Sequence, residues 1–145
     1  MTPSAHLLVL IVEDDPIVAM DEVDIVESFG HLVIGVAAEA AAAYRLADTR
    51  LPQVALMDIN LADGWSGPTI CARLIGDYGV PVVFVTANPD QLPINFAGAL
   101  GCVEKPYGAS VLGAALAFVG RYLVDGSTDE VPSGLRVPPR PALIQ

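Results

Sequence analysis

Apolar residues come in short bursts along this chain, and most bursts end abruptly at a polar residue. Leu7–Val12 is a continuous apolar run, the pattern of a strand buried on both faces. Asp15-Pro16 follows as an N-cap with proline at the first helical position, and predicts a helix to about Phe29, stopped by Gly30. His31–Val36 is β-branched and weakly alternating, a second strand; alanine-rich Ala38–Thr49 is a helix. Val54–Met57 reads as a third strand ending at Asp58, and after the loop LADGWSG a helix runs from about Gly67 to Tyr78. Val82–Val85 is a fourth strand ending at Thr86. A weak helix interrupted by Pro93 spans about Pro89–Ala99. Cys102–Glu104 is a short fifth strand ending at Lys105-Pro106, and Ala109–Leu123 is a long apolar helix.

Five βα units in alternation predict an α/β fold, a five-stranded parallel sheet wound on both faces, over residues 1–124. From Asp125 onward no periodicity remains, and four prolines follow Glu130. Residues 125–145 therefore read as a proline-rich tail with no output domain.

Composition narrows the function. Over half of the 145 residues are hydrophobic and 17% are charged, as expected of a globular chain. A net charge of −10 with seven scattered Lys and Arg argues against a nucleic-acid surface. No apolar run is long enough for a membrane span or shaped as a signal peptide, so a cytoplasmic location is expected. Cys71 and Cys102 lack metal-ligand spacing and read as reduced core thiols.

In an open parallel sheet, ligands bind beyond the carboxyl ends of the strands. Those ends carry Glu13 and Asp14, then Asp58, Thr86 and Lys105, so three carboxylates, a hydroxyl and an ammonium are expected to converge. Clustered carboxylates are tolerable around a hard divalent cation, and all-oxygen ligation favours Mg²⁺. A carboxylate beside such a cation can attack a phosphoryl group to give an aspartyl-phosphate, with lysine and hydroxyl binding the phosphoryl oxygens. Each residue alone has a plainer reading: Asp58 as a turn acid, Glu13 and Asp14 as a solvated turn, Thr86 as a strand-end hydroxyl, Lys105 as a surface lysine. Their coincidence at successive strand ends weighs against all of these together.

The motifs IVEDDP, LMDIN, FVTAN and VEKPY, in that order, resemble those of the response-regulator receiver domains of two-component systems, of stand-alone type. The resemblance covers Leu7 to about Leu123 and implies a flavodoxin-like, CheY-like (βα)5 fold. It implies Asp58 as phosphoacceptor, Asp14 as a direct Mg²⁺ ligand, Glu13 as a ligand through water, and Asn60 as a ligand through its backbone carbonyl. Thr86 would hydrogen-bond the phosphoryl group, Lys105 would pair with it, and the bond before Pro106 is often cis in this family. Asn60 and Asn88 resemble the positions that tune dephosphorylation rate in this family. The implied partners are a sensor histidine kinase or phosphotransfer protein and a downstream protein. The loop DINLADGWSG and the TAN sequence are similar to receivers that serve HWE or HisKA2-type kinases. Two departures stand out: Cys102 occupies the place of the family's aromatic switch residue, and the segment from Thr86 to Lys105 is short.

Other functions compete with signalling. A phosphate shuttle or sink would use the same pocket. A phosphatase with an aspartyl-phosphate intermediate would want a second acid where Asn60 stands, and a non-phosphorylated interaction module would not need the full pocket. Trp65 is expected either to pack under its loop or to meet a partner; His6 and His31 are expected at strand edges, and Tyr107 in packing. Val111, Leu112, Leu116, Phe118 and Val119 make the last helix so apolar that an exposed patch and a homodimer through it are expected. Glu22 is anomalous: helical spacing puts it on a face with Val18, Ile25 and Phe29, where an unpaired carboxylate is costly.

Overall fold

The computed structural model describes residues 6–64 and 66–139. Strands β1 (Leu8–Val12), β2 (Leu32–Ala37), β3 (Val54–Met57), β4 (Val82–Thr86) and β5 (Gly101–Glu104) pair in parallel in the order β2-β1-β3-β4-β5. Helices α1 (Pro16–Ser28), α2 (Ala40–Thr49), α3 (Gly67–Tyr78) and α4 (Ala109–Asp125) cover the sheet. One core joins Ala43, Ala47, Ile70, Cys71 and Leu74 of α2 and α3 to the sheet. The other joins Val26 of α1 to Leu112, Leu116, Phe118 and Val119 of α4 across the opposite face. The doubly wound α/β arrangement is therefore as the pattern implies. The central strands are buried on both sides, which is why they read as unbroken apolar runs.

Local chemistry sets the helix starts. Asp15 Oδ1 accepts from the backbone N–H of Ile17 at 2.9 Å and of Val18 at 3.4 Å, ahead of Pro16 in the first turn. Glu39 caps α2 in the same way, accepting from the N–H groups of Ala41 and Ala42. Gly67 opens α3 against the Asp58 carbonyl, where a Cβ would lie only 2.3 Å from that oxygen. A glycine is required there for α3 to start so close to the end of β3.

Three expectations need correction. The segment 89–99 holds no α-helix: it makes two 3₁₀ turns, Pro89–Gln91 and Phe96–Gly98. Pro93 pushes Leu92 into an extended conformation (φ −72°, ψ 144°), and Phe96 and Ala97 sit at positive φ, so no helical ladder can propagate. The five βα units thus contain four α-helices among the described residues.

The tail is not wholly irregular either. Leu135–Arg136 forms β6, a sixth strand antiparallel to β5, with Leu135 opposite Val103 and Arg136 opposite Cys102. A Cβ on Gly101 would stand 2.7 Å from the Arg136 carbonyl and from the Leu135 side chain, so the strand fits because position 101 has none. Leu135 joins the buried core, and Arg136 pairs with Glu104 at 2.7 Å.

The apolar residues of α4 are also not a free surface. Leu112, Leu116, Phe118 and Val119 are buried, Val111 lies against Gly134 of the tail, and the Phe29 ring covers Gly113. The large exposed apolar side chains on α4 are Leu123 and Val124, at its last turn. The surface on which the homodimer expectation rested is inside the fold. Trp65 and residues 140–145 of the tail lie outside the described residues.

Candidate functional site

The backbone ladder continues past the strand ends and fixes the polar residues that follow. Glu13 N–H donates to the Ala37 carbonyl at 2.8 Å, Asp58 N–H to Val12 at 3.0 Å, and Lys105 N–H to Thr86 at 2.9 Å. Residues that terminate neighbouring strands are thereby held side by side at one edge of the sheet.

There a carboxylate oxygen from each of Glu13, Asp14 and Asp58 lies within 4.8 Å of the others. Glu13 is buried, Asp58 half-buried and Asp14 exposed. Lys105 Nζ donates to Glu13 Oε1 at 2.6 Å and to Asp58 Oδ2 at 3.1 Å. Asp58 Oδ1 accepts from the Ile59 N–H at 2.7 Å, and Glu13 Oε2 from the Asp15 N–H at 3.2 Å. Asp15 therefore touches the pocket through its backbone while its side chain caps α1.

Burial pushes the Glu13 carboxyl up, and the Asp58 charge adds to this against the opposing hydrogen bond from Lys105. Burial pulls the Lys105 ammonium down, but its hydrogen bonds and charges with Glu13 and Asp58 win, and its pKa is raised overall. Three carboxylates facing one ammonium leave an excess of negative charge, which suits a small divalent cation with oxygen ligands. Their exposure, from the buried Glu13 to the exposed Asp14, keeps one side of the cluster open to solvent.

Thr86 is buried at the end of β4, and its Oγ1 accepts from the Asn88 N–H at 3.0 Å. Asn60 is exposed, and its side-chain amide reaches Gln91 Oε1 at 3.4 Å, tying the loop after β3 to the turn after β4. The Lys105-Pro106 bond is cis. Cys102 is buried on β5 opposite Phe84, and burial pushes its thiol to about 11. Asp63 escaped the sequence reading: it accepts from the Ala40 N–H and the Ser66 hydroxyl, and so ties the pocket loop to the start of α2. Ser66 three residues on, just before a helix, was its signal.

Carboxylates, a hydroxyl and a lysine thus stand beyond the carboxyl ends of a doubly wound sheet, where open α/β proteins bind their ligands. The chain belongs to the response regulator receiver domain family, whose family model matches residues 9–117. It is 44% identical over 84 residues to the phyllosphere-induced regulator PhyR of Methylorubrum extorquens, covering 57% of this chain and 32% of that protein. It is 36% identical over 105 residues to the DNA-binding response regulator MtrA of Mycolicibacterium smegmatis, covering 68% of this chain and 44% of that protein. The solution structure of the Erythrobacter litoralis PhyR receiver domain superimposes with a TM-score of 0.73 at 32% identity, covering 81% of this chain and 92% of that one. The Bartonella quintana anti-anti-sigma factor PhyR superimposes with a TM-score of 0.76 at 30% identity, covering 86% of this chain and 51% of that one. The chain thus spans less than half the length of these two curated relatives. Receivers of this kind are signalling modules rather than enzymes. Among the described residues no helix is long and apolar enough to cross a membrane.

Proposed function

We infer that the chain accepts a phosphoryl group on Asp58 from a histidine kinase or phosphotransfer protein in the cytoplasm, and passes the signal on by protein contact. The observation that carries this reading is the meeting of Glu13, Asp14 and Asp58 oxygens within 4.8 Å, with Lys105 bridging Glu13 and Asp58. An Asp58 carboxylate oxygen attacks phosphorus; the bond from phosphorus to the donor's histidine nitrogen, or to the acyl oxygen of a small donor, breaks, and its electron pair leaves with the donor. Glu13, Asp14 and Asp58, with the Asn60 carbonyl, would hold Mg²⁺, which when bound neutralises charge on the incoming phosphoryl oxygens. Lys105 then exchanges its carboxylate partners for a phosphoryl oxygen. Thr86 accepts from Asn88, which leaves its own hydroxyl proton to donate to another. The resemblance of the pocket loop to receivers that serve HWE or HisKA2-type kinases favours a kinase of that type as the donor.

Incubation with Mg²⁺ and acetyl phosphate, followed by intact-mass measurement, tests this directly. A single phosphate adduct is expected on the wild type and none on Asp58→Asn; an undiminished adduct on that variant refutes the assignment. Asn60 at the place of a phosphatase's second acid favours a signalling role, and turnover of phosphomonoesters would reverse that preference. A shuttle or sink would return the phosphoryl group to a phosphotransfer protein rather than bind a new partner.

A further inference from the structure

Two polar atoms are left over when the bonds of the fold are assigned. Glu22 Oε2 and the Tyr107 hydroxyl are buried without hydrogen-bond partners, the two side-chain atoms of this kind among the described residues. Glu22 is 2% exposed, between Ala19 and Val26 on the buried stripe of α1. Tyr107 lies in the loop from β5 to α4, two residues past Lys105, and packs against the core that contains Val26, Val103 and Leu112. Helices α1 and α4 touch on this face of the sheet. Both orphans therefore lie on one side of the pocket, one on the helix that follows Glu13 and Asp14, the other on the turn that carries Lys105.

Packing alone does not explain a carboxyl at this place, since a leucine would fill it without an unmet polar atom. Glu22 is near enough that, once ionised, its charge adds to burial in raising the Tyr107 phenol. Glu22 is itself pushed to about 8, by burial first and then by the charge of Glu13, with Lys105 opposing and Asp58 and Asp21 adding. Burial thus favours the protonated form, whose carboxylic acid O–H can donate to a phenolic oxygen, while an ionised carboxylate would accept from the phenol O–H instead.

We propose that Glu22 and Tyr107 are a positioning pair, whose side chains close a hydrogen bond when Lys105 leaves Glu13 and Asp58 for the phosphoryl group. The proposal rests on Asp58 as phosphoacceptor. In the arrangement described here Lys105 is held by both carboxylates. Drawing its ammonium toward a phosphoryl oxygen shifts the Lys105–Tyr107 turn, and a hydrogen bond available only in the shifted arrangement biases the equilibrium toward it. The pair thus links α1 to the loop that reads phosphorylation, without touching the reacting atoms.

The experiment follows adduct formation from acetyl phosphate and Mg²⁺ on the full 145-residue chain, in wild type, Glu22→Gln, Glu22→Leu, Tyr107→Phe and the Leu/Phe double variant, with melting temperature measured for each. Glu22→Leu and Tyr107→Phe are each expected to slow accumulation about three- to tenfold, the worth of one hydrogen bond. The double variant is expected to be no slower than either single, and Glu22→Gln, whose amide still donates, to recover most of the rate. Melting temperatures shift under either reading, but a purely structural Glu22 predicts that all rates match wild type. That result, or a double variant whose slowing is the product of the singles, overturns the pair. If the wild type takes no phosphate, the Asp58 reading fails and the pair falls with it; if the wild type is phosphorylated and the variants match it, the pair alone fails.

Discussion

Glu13 in the pocket and Glu22 on α1 are both buried acids, yet the fold treats them differently. Glu13 has a lysine at 2.6 Å and a backbone N–H, whereas one oxygen of Glu22 has nothing. The contrast separates two ways of tolerating acid in a core. One gives the charge a partner; the other lets the group keep its proton. A partnered acid is hurt by losing the partner, and an unpartnered one is relieved by being removed.

The sharpest break of that contrast is Lys105→Met. It leaves Glu13 buried and unpaired among like charges, and should lower unfolding stability by about 3 kcal/mol. Urea titrations with and without millimolar Mg²⁺ check this, because a cation in the pocket should return part of the loss.

The next largest effect concerns pH. The Glu22 carboxyl is raised from 4.5 to about 8 in the folded protein. Between those values the folded state binds a proton that the unfolded state does not, so Glu22's contribution to stability is fully present below about 4.5 and is lost as pH rises through about 8. The slope is at most about 1.4 kcal/mol per pH unit. Glu22→Leu should therefore raise the melting temperature more at pH 8 than at pH 5. An equal gain at both would show that Glu22 is ionised throughout.

Tyr107→Phe removes the other orphan and should stabilise by about 1 kcal/mol, read by denaturant midpoint. The smallest change is Arg136→Ala. Its partner Glu104 and the arginine are both about half exposed, so the loss should stay below about 1 kcal/mol and shrink in high salt.

The sequence made the pocket legible because each of its residues ends an apolar run, and a parallel sheet brings such ends together. Helix starts at Asp15-Pro16 were readable for a similar reason, since capping is local. What escaped depends on contacts between distant positions. Leu135 and Arg136 have no strand pattern of their own; they pair because Gly101 leaves room, thirty-four positions earlier. The apolar face of α4 looked surplus because nothing in the tail announced that Gly134 would seat against Val111. The segment from Pro89 carries enough apolar residues to imitate a helix, but Pro93 and the positive φ of Phe96 and Ala97 break the ladder. Glu22 was visibly out of place, but only the fold shows Tyr107 as a second orphan on the same side.

The short strand β6 also bears on how this chain keeps to itself in a crowded solution. A sheet of this kind has two open sides along which foreign strands could add and propagate. Leu135–Arg136 occupies one of them, beside β5. On the other side, β2 shifts register against β1 between Val9 and Leu10, an irregularity that spoils a straight template. Two residues and one slipped pair thus act as guards against templated aggregation, and removing Leu135–Arg136 would open a fresh lane for it beside β5.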